Sequence, residues 1–336
     1  MNNIFKQFAE WVTNLKDKPF LKARLKLTIY YTVGIVVILI IVNLGVYGFF
    51  VSDIPETIEN KSSAIYEEEI RDRLETIIFT VNGFVILVVI GLSYYFAGKT
   101  LKPLEQVFKR QRKFIADAAH ELRTPLTVMK TGAETILATS NNKYDYKKLL
   151  KDSLEEINFL SSIVDDLLFL AGNDDLKKVE FEKLDLGKLV RQQINLMETY
   201  SKKKGVSMLG NIKDEFFING NKAYIKRLVI NLLKNAIDYN NPNGKVNVFI
   251  NKNKQFIELT IIDTGIGIAQ KDLPNIFERF YKVDQARTKQ SGGAGLGLSI
   301  VKEIVEIHAA QISIESKLNK GTTITILFPL SQRLYS

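Results

Sequence analysis

His120 lies among side chains whose types and spacing suit nucleophilic chemistry. Glu121 follows it directly, and Thr124 and Pro125 come one helical turn later. A carboxylate beside an imidazole can keep the ring neutral and accept its proton. Pro125 has no N–H to donate to the carbonyl of Glu121, so we expect a local kink or loosening of the helix there. The cluster suits an exposed group that meets a large substrate.

Two amphipathic helices are predicted to position His120. At about 100° per residue, the helix over 99–138 has one apolar stripe, and His120 lies about 155° from its centre, towards solvent. A turn-rich break at 140–142 precedes a second amphipathic helix over 145–171. A hairpin of two such helices cannot bury both stripes alone, whereas two copies can form a four-helix bundle. The pattern therefore predicts a homodimer.

The two stripes are defined by apolar residues at helical spacing. The first comprises Ile115, Ala118, Ala119, Leu122, Leu126, Met129, Ala133 and Ile136. The second comprises Leu150, Leu154, Ile157, Leu160, Val164, Leu167 and Leu168.

The C-terminal segment, residues 179–336, mixes predicted helices with alternating strands at 245–250, 256–262 and 322–328, which indicates an α+β domain. Asn231 and Asn235 are four residues apart on a predicted helix and share a face. An amide oxygen there suits Mg²⁺. Asp263 directly follows the predicted strand 256–262, where its carboxylate could accept a hydrogen bond from an amine such as that of adenine.

A glycine-rich segment at 292–299, GGAGLGLS, opens a predicted helix. Its free N–H groups could bind phosphate. It is not a Walker loop, because no Lys-Ser/Thr follows the glycines, and it is not a Rossmann turn, because no strand precedes it. The polar stretch at 284–291, with Arg287, is predicted to be a mobile lid over the phosphates; a solvated loop is the alternative.

Five segments together resemble the motifs of the two-component sensor histidine kinases. They are 114–126 (FIADAAHELRTPL), 231–236 (NLLKNA), 263–268 (DTGIGI), 277–281 (FERFY) and 292–299. The resemblance implies autophosphorylation from Mg·ATP, transfer to an aspartate of a response regulator receiver domain, and dephosphorylation of that partner. It implies that His120 accepts the phosphoryl group, that Glu121 assists transfer, and that Thr124 helps the dephosphorylation.

The same resemblance implies the contacts of the nucleotide. Asp263 would recognise adenine, Asn235 would hold Mg²⁺, and Asn231 and Lys234 would flank the phosphates. The remaining contacts that it implies are Tyr239, Gly265, Gly267, Arg287, Gly293, Gly295, Gly297 and Thr322.

Three departures from the family pattern are visible. The two-helix relay module (HAMP) of many relatives is missing, since only sixteen residues separate Ala97 from Phe114. Asp238 stands where many relatives have a basic residue, which puts one phosphate or ribose contact in doubt. Ala309 and Ala310 replace glycines, and a positive φ there would cost about 1 kcal/mol.

Two uncharged runs, 28–50 and 76–97, are long enough to cross a bilayer. The first is too long for a signal peptide, the alternative explanation. Basic residues flank both runs on the side of 1–27 and 98–113, and the loop at 51–75 has eight acids against three bases. The positive-inside rule predicts a multi-pass protein of the cell membrane with both termini cytoplasmic. We also expect Asn43 and Asn82, at similar depth, to contact each other.

The net charge of +9 could indicate nucleic acid, but much of it flanks the predicted spans, so we expect no direct nucleic-acid binding. The predicted organisation is a cytoplasmic segment (1–27), two spans, a short external loop, phosphotransfer helices (98–172) and an ATP-binding domain (179–336). Two other functions are disfavoured. The segment at 114–126 argues against a gyrase-type ATPase that only clamps a dimer, and the intact Asn235, Asp263 and glycine loop argue against a receptor with a degenerate kinase domain. The chain has no cysteine, which excludes disulfides and thiolate metal sites.

Overall fold

The computed structural model describes residues 19–52, 61–139, 143–172, 180–210, 212, 215–283 and 293–330. The predicted lid with Arg287 and the predicted turn at 140–142 lie outside these residues. The chain divides into two compact units, Met1–Lys113 and Phe114–Ser336, and each is described by itself.

The first unit contains α1, Pro19–Ser52, and the beginning of α2, Lys61–Thr139. Both helices are long and apolar enough to cross a membrane. Their apolar side chains point outwards and are largely exposed, with Leu44 at 67% and Phe79 at 83%. Asn43 and Asn82 are both half-buried. Among the described contacts of this unit, no hydrogen bond joins the two amides, so the structure gives no support to the expected pairing.

The second unit begins with the C-terminal part of α2, followed by α3, Lys143–Ala171. The break expected around 140–142 is bracketed by the ends of these two helices. α2 remains helical through Pro125, whose side chain is buried, so the loosening expected there does not end the helix. These two helices form the predicted hairpin.

The rest of the second unit is an α+β domain, close to the predicted strands and helices. Its elements are β1 (Glu182–Asp185), α4 (Leu186–Lys203), β2 (Ser207–Gly210), β3 (Phe217–Gly220), α5 (Lys222–Asp238), β4 (Lys245–Lys252), β5 (Phe256–Asp263), a 3₁₀ turn (Leu273–Asn275), α6 (Gly297–Ile307), β6 (Gln311–Lys317) and β7 (Gly321–Pro329). Five strands form one sheet in the order β2-β4-β5-β7-β6. The β2–β4 pair is parallel, and the other pairs in this sheet are antiparallel.

One face of this sheet is buried against helices, because successive strand residues point to opposite faces. Ile257, Leu259 and Ile261 alternate along β5 and are buried, and each pairs with a buried residue of β7. Helices α4, α5 and α6 contribute the other side of the same core, for example Leu232 and Ile300. The result is a two-layer sandwich of helices on a sheet. Asp263 lies at the carboxyl end of β5.

Helix α3 has two apolar faces, whereas the sequence pattern suggested one. Ile163 and Leu170 are buried in the core of the α+β domain, and Leu167 packs against that core. Leu150 and Leu168, in contrast, are each 65% exposed. Leu167 therefore belongs to the face that packs within the chain, and the bare stripe is narrower than predicted.

One alanine of the pair after α6 has the positive φ that would cause backbone strain. Ala309 has a φ of +48°, the left-handed region that glycine adopts most easily. A Cβ in this conformation costs about 1 kcal/mol. The helix end keeps its backbone hydrogen bonds, since the Ala309 N–H donates to the Glu306 carbonyl at 3.0 Å.

Candidate active site

His120 is exposed on α2, as its angular position predicted. Thr124 lies one turn further along, and its hydroxyl donates to the His120 carbonyl oxygen at 3.2 Å. The two side chains share the wall of an open groove of about 890 Å³ between α2 and α3. The groove is also lined by Arg123, Thr127, Val128, Thr131, Gly132, Thr135, Ile136, Lys148, Leu149 and Asp152. The imidazole is therefore directly accessible from this groove.

Glu121 is bound to a lysine of the α+β domain. Its Oε2 lies 2.8 Å from Nζ of Lys282, and the two side chains are only 24% and 16% exposed. The carboxylate expected to orient the imidazole is therefore paired elsewhere in this structure. Lys282 was missed in the sequence, although it directly follows the FERFY segment.

Further contacts pack the α+β domain against the hairpin around this ion pair. The Arg279 guanidinium lies 4.9 Å from the Phe114 ring centre, and the Phe114 and Phe280 rings are 5.8 Å apart. At the far end of α3, Arg227 forms an ion pair with Asp166. Burial raises the pKa of Asp166, while the hydrogen bond from Arg227 opposes that rise. The helix carrying His120 and the α+β domain thus share one interface.

A second cavity, of about 140 Å³, lies at the carboxyl end of β5. Several predicted residues meet there: Asn235, Tyr239, Asp263, Gly267 and Thr322 all line it. Its other lining residues are Leu232, Ala236, Ile261, Ile266, Ile268, Ile276, Tyr281, Lys282, Val283, Leu298 and Ile324. Apolar walls with a few convergent polar groups are typical of a site for a planar ligand such as a nucleobase.

Asp263 is held by backbone donors on one side. Its Oδ1 accepts hydrogen bonds from the N–H of Gly265 at 2.8 Å and of Thr322 at 3.1 Å. Burial raises the pKa of this carboxyl to about 6, and the two hydrogen bonds act in the opposite direction. At neutral pH the group is thus an ionised acceptor in a partly dry pocket, which suits recognition of an exocyclic amine.

The glycine at 265 is required by close approach rather than by flexibility. A Cβ there would stand 2.3 Å from the Tyr239 carbonyl oxygen, so a side chain would push the Asp263 loop away from α5. Gly267, two residues later, adopts a φ of +65°. The backbone path beside Asp263 therefore requires glycine at both positions.

Ser316, which the sequence motifs did not single out, supports the same corner. Its hydroxyl accepts the Ile268 N–H at 2.8 Å and donates to the Gly321 carbonyl at 3.0 Å. It also lies 2.8 Å from the Thr322 hydroxyl. The network links the loop after Asp263 to the start of β7. Because Ser316 lies fifty residues from that loop, only the β6–β7 pairing could have revealed it.

The glycine segment meets the amide face of α5 at the start of α6. A Cβ on Gly297 would lie 3.2 Å from Oδ1 of Asn231 and 3.8 Å from Nδ2 of Asn235. Gly295 has a φ of +77°, and Gly293 has open space around it. Lys234, also on α5, is exposed. The structure thus brings Asn231, Asn235 and Gly297 together.

The donor set at this point fits a magnesium ion held mainly by phosphates. Within the described parts of the chain, no three His, Cys, Asp or Glu side chains are grouped as a metal site would need. The half-buried amide of Asn235 is a hard oxygen ligand, and Mg²⁺ commonly keeps its waters and binds phosphate oxygens in addition to one or two protein ligands. Asn235 is therefore a suitable ligand for a nucleotide-bound ion.

Asp238, the acid at a usually basic position, faces away from this cavity. The Tyr200 hydroxyl donates to its Oδ1, and Lys204 Nζ lies 3.7 Å from the same atom. Its side chain is 5% exposed. Burial, followed by the hydrogen bond to Asp238, raises the pKa of Tyr200. The acid therefore joins α5 to α4 and does not line the cavity at the end of β5.

The fold and the pocket define an ATP-binding domain, and comparison with protein families agrees. Residues 220–332 match the family model described as histidine kinase-, DNA gyrase B-, and HSP90-like ATPase. Residues 110–175 match the His Kinase A (phospho-acceptor) domain. The two matches cover the hairpin and most of the α+β domain.

Individual relatives give the same result. The sensor histidine kinase CusS of Escherichia coli O6:H1 is 34% identical over 230 residues, which are 68% of this chain and 48% of CusS. The structure of the Acinetobacter baumannii histidine kinase AdeS shares the fold, with a TM-score of 0.52, 23% identity, and coverage of 63% of this chain and 98% of that one. Histidine kinase ThkA, solved in complex with response regulator protein TrrA, also has a TM-score of 0.52 at 23% identity, covering 69% of this chain and 67% of that one.

The chain belongs to the two-component sensor histidine kinases. It spans about half the length of the curated relatives it matches.

Proposed function

We propose that the chain is a membrane-bound sensor kinase that moves the γ-phosphoryl group of Mg·ATP to an imidazole nitrogen of His120. The observation that carries this proposal is the exposed His120 on a hairpin that packs against the ATP-binding domain within one compact unit. A bond forms between the imidazole nitrogen and the γ-phosphorus, the bond from that phosphorus to the β–γ bridging oxygen breaks, and ADP leaves. The imidazole proton passes to Glu121.

The residues of the chain divide this work. Asp263 accepts a hydrogen bond from the adenine amine, Tyr239 packs along the base, and the N–H groups from Gly293 to Gly297 bind phosphate. Asn231 and Lys234 flank the phosphates, and Arg287 in the predicted lid adds a positive charge. Asn235 would hold Mg²⁺, which when bound would neutralise charge on the phosphates.

Glu121 must leave Lys282 before it can act as a base. Its Oε2 already accepts a hydrogen bond from Lys282 Nζ at 2.8 Å, so this oxygen is occupied. We therefore assign this structure to a resting state, in which the acid beside His120 is occupied. Separation of the α+β domain from α2 frees the carboxylate for transfer.

The phosphorylated imidazole then donates to an aspartate of a response regulator receiver domain. The groove between α2 and α3 supports this step, since His120 and Thr124 line it together with the basic side chains of Arg123 and Lys148. ThkA, which shares the fold, has been solved with a response regulator. Thr124 helps remove the phosphoryl group from the partner.

Two copies of the hairpin form a four-helix bundle. The exposed leucines of α3, together with Ile115 and Leu126 of α2, leave large apolar side chains open to solvent in a single chain. Covering such a surface stabilises a dimer by about 25 cal/mol for each Å² removed from water. The bare side chains of α1 and of residues 76–97 are covered by lipid in the same way, with both termini in the cytoplasm.

Labelled ATP and full-length protein in lipid nanodiscs test the proposal. The chain has two histidines, and His308 is fully buried, so phosphohistidine in the native protein must arise at His120. We expect acid-labile, base-stable label in the wild type and none in His120→Gln, which keeps its ATP binding. Label that persists in His120→Gln contradicts the mechanism. ATP hydrolysis without a phosphoprotein indicates the gyrase-type ATPase, and ATP binding without transfer indicates a degenerate receptor.

A further inference from the structure

Arg24 of α1 reaches across to α2 inside the first unit. Its Nε donates to the carbonyl oxygen of Tyr94 at 3.0 Å. Its guanidinium carbon also lies 3.6 Å from the centre of the Tyr94 ring, within the range of a cation–π contact. One side chain thus binds both the backbone and the ring of the same residue.

Gly98 makes room for this guanidinium. A Cβ at Gly98 would stand 2.4 Å from Arg24 Cζ, so any larger residue displaces the arginine. Tyr94 and Gly98 are one helical turn apart, and the carbonyl that Arg24 reaches is the one beside the missing side chain. We call Arg24, Tyr94 and Gly98 the clamp.

The helices are in close contact around the clamp. Thr28 is 7% exposed, Ser93 8% and Ala97 2%, although most side chains of the two apolar runs are open. Nearer the start of α1, the rings of Phe20 and Phe108 lie 5.8 Å apart. The small buried residues and the clamp occur at the same level, which is the cytoplasmic end of the proposed spans.

The clamp acts on the helix that carries the phosphoacceptor. Tyr94, Gly98 and His120 all belong to α2, Lys61–Thr139, and the relay module of many relatives does not fit between residue 97 and residue 114. Any displacement of α1 must therefore either break the clamp or carry residues 94–98 of α2 with it. The clamp thus connects α1 directly to the helix of His120.

We propose that this clamp couples the two membrane helices and holds the kinase in its resting state, a role that rests on the function proposed above. The same structure that contains the clamp has Glu121 paired with Lys282, so the closed clamp accompanies an occupied base. Opening of the clamp lets α2 move and raises autophosphorylation. Arg24 is a positioning residue, since it touches neither ATP nor His120.

The cysteine-free chain permits a direct test in nanodiscs of a phosphatidylcholine and phosphatidylglycerol mixture. The variants are Arg24→Gln, Gly98→Leu and their combination. Tyr94→Phe, which keeps the ring and the carbonyl, and Lys22→Gln, which removes a neighbouring exposed charge, are matched controls. Disulfide formation between Thr28→Cys and Ser93→Cys, added to each background, measures the contact of the helices. The initial rate of His120 phosphorylation measures output.

We expect Arg24→Gln and Gly98→Leu each to slow disulfide formation and to raise the phosphorylation rate about fivefold at saturating ATP, with an unchanged KM for ATP. The double variant should match the single ones, because each opens the same contact. Both controls should behave as the wild type.

A phosphorylation rate at or below that of the wild type in Arg24→Gln and Gly98→Leu overturns the proposal, as does a change confined to KM. Full wild-type behaviour of Arg24→Lys also contradicts it, because lysine lacks the planar group that stacks and donates here. If the wild type takes up no label at His120, the proposed function fails, while the disulfide rates still test whether the clamp joins the helices.

Discussion

The hairpin and the α+β domain bury their apolar residues in different ways. In the α+β domain, residues such as Leu232, Ile257 and Phe328 share one closed core. In the hairpin, Leu150 and Leu168 stay open to solvent within a single chain. The difference indicates that the α+β domain closes its core within one copy, whereas the helices that present His120 leave apolar side chains uncovered, as the proposed dimer requires.

Charges on the bare face of α3 should have the largest effect. Leu154→Glu with Leu168→Glu should convert the full chain from dimer to monomer, because removing a leucine from an apolar interface costs about 2–5 kcal/mol even before a charge is buried. Light scattering of the detergent-solubilised protein measures the mass. ATP affinity should stay constant, and Lys151→Glu, on the polar face, is the control. A dimer that survives both glutamates would show that the chains associate elsewhere.

Substitution of Asp263 tests the nucleotide site proposed in the α+β domain. Asp263→Asn should weaken ATP binding about 10- to 100-fold, since a hydrogen bond to a charged group contributes about 1.5–3 kcal/mol. Glu258→Gln on the same strand is the control, and calorimetry gives the affinity of the full chain.

The pH dependence of ATP binding should differ between the wild type and Asp263→Asn. Burial raises the pKa of Asp263 to about 6, so the ionised acceptor is lost as pH falls through that value, and the affinity of the wild type for ATP should fall with it. Asp263→Asn should retain only the pH dependence of ATP itself. Parallel pH profiles for the two proteins would mean that the carboxylate does not bind the nucleotide.

The Lys282–Glu121 ion pair joins the α+β domain to the hairpin. Removing it should have a smaller effect than the substitution of Asp263. The pair is partly exposed, so a double-mutant cycle with Lys282→Gln and Glu121→Gln should give a coupling free energy of about 1 kcal/mol. Hydrogen exchange of residues 277–283 in the full chain measures the opening free energy. The more exposed pair Lys302 and Glu306, with side chains 53% and 61% exposed, should give less than half of that value. Equal coupling in the two pairs would argue against a specific contact at Glu121.

The smallest change concerns the strained alanine. Ala309→Gly should stabilise the folded chain by about 0.5–1 kcal/mol, because glycine adopts the φ of +48° without a Cβ clash and the exposed methyl group contributes little packing. Thermal unfolding of the α+β domain measures the gain as a higher Tm. Ala310→Gly, at a position without a positive φ, should lower the Tm instead. A lower Tm in both variants would show that chain entropy outweighs the strain.

The sequence alone determined the parts that depend on local order. Apolar residues at helical spacing predicted the hairpin and placed His120 on its exposed side, since side-chain direction follows from backbone period. Alternation predicted strands β4, β5 and β7 to within two residues at each end. The motif at 263–268 predicted a polar residue at a strand end, which is where Asp263 lies.

Only the tertiary structure decided which distant groups meet. It shows that Glu121 pairs with Lys282 and that Asp238 accepts a hydrogen bond from Tyr200. It also shows that the Arg24 guanidinium packs against Gly98. The partners in each pair are between 38 and 161 residues apart in the sequence, so no helical or strand period relates them. Packing of whole helices and strands brings such groups within bonding distance, so the occupied base and the clamp could be recognised only in the folded chain.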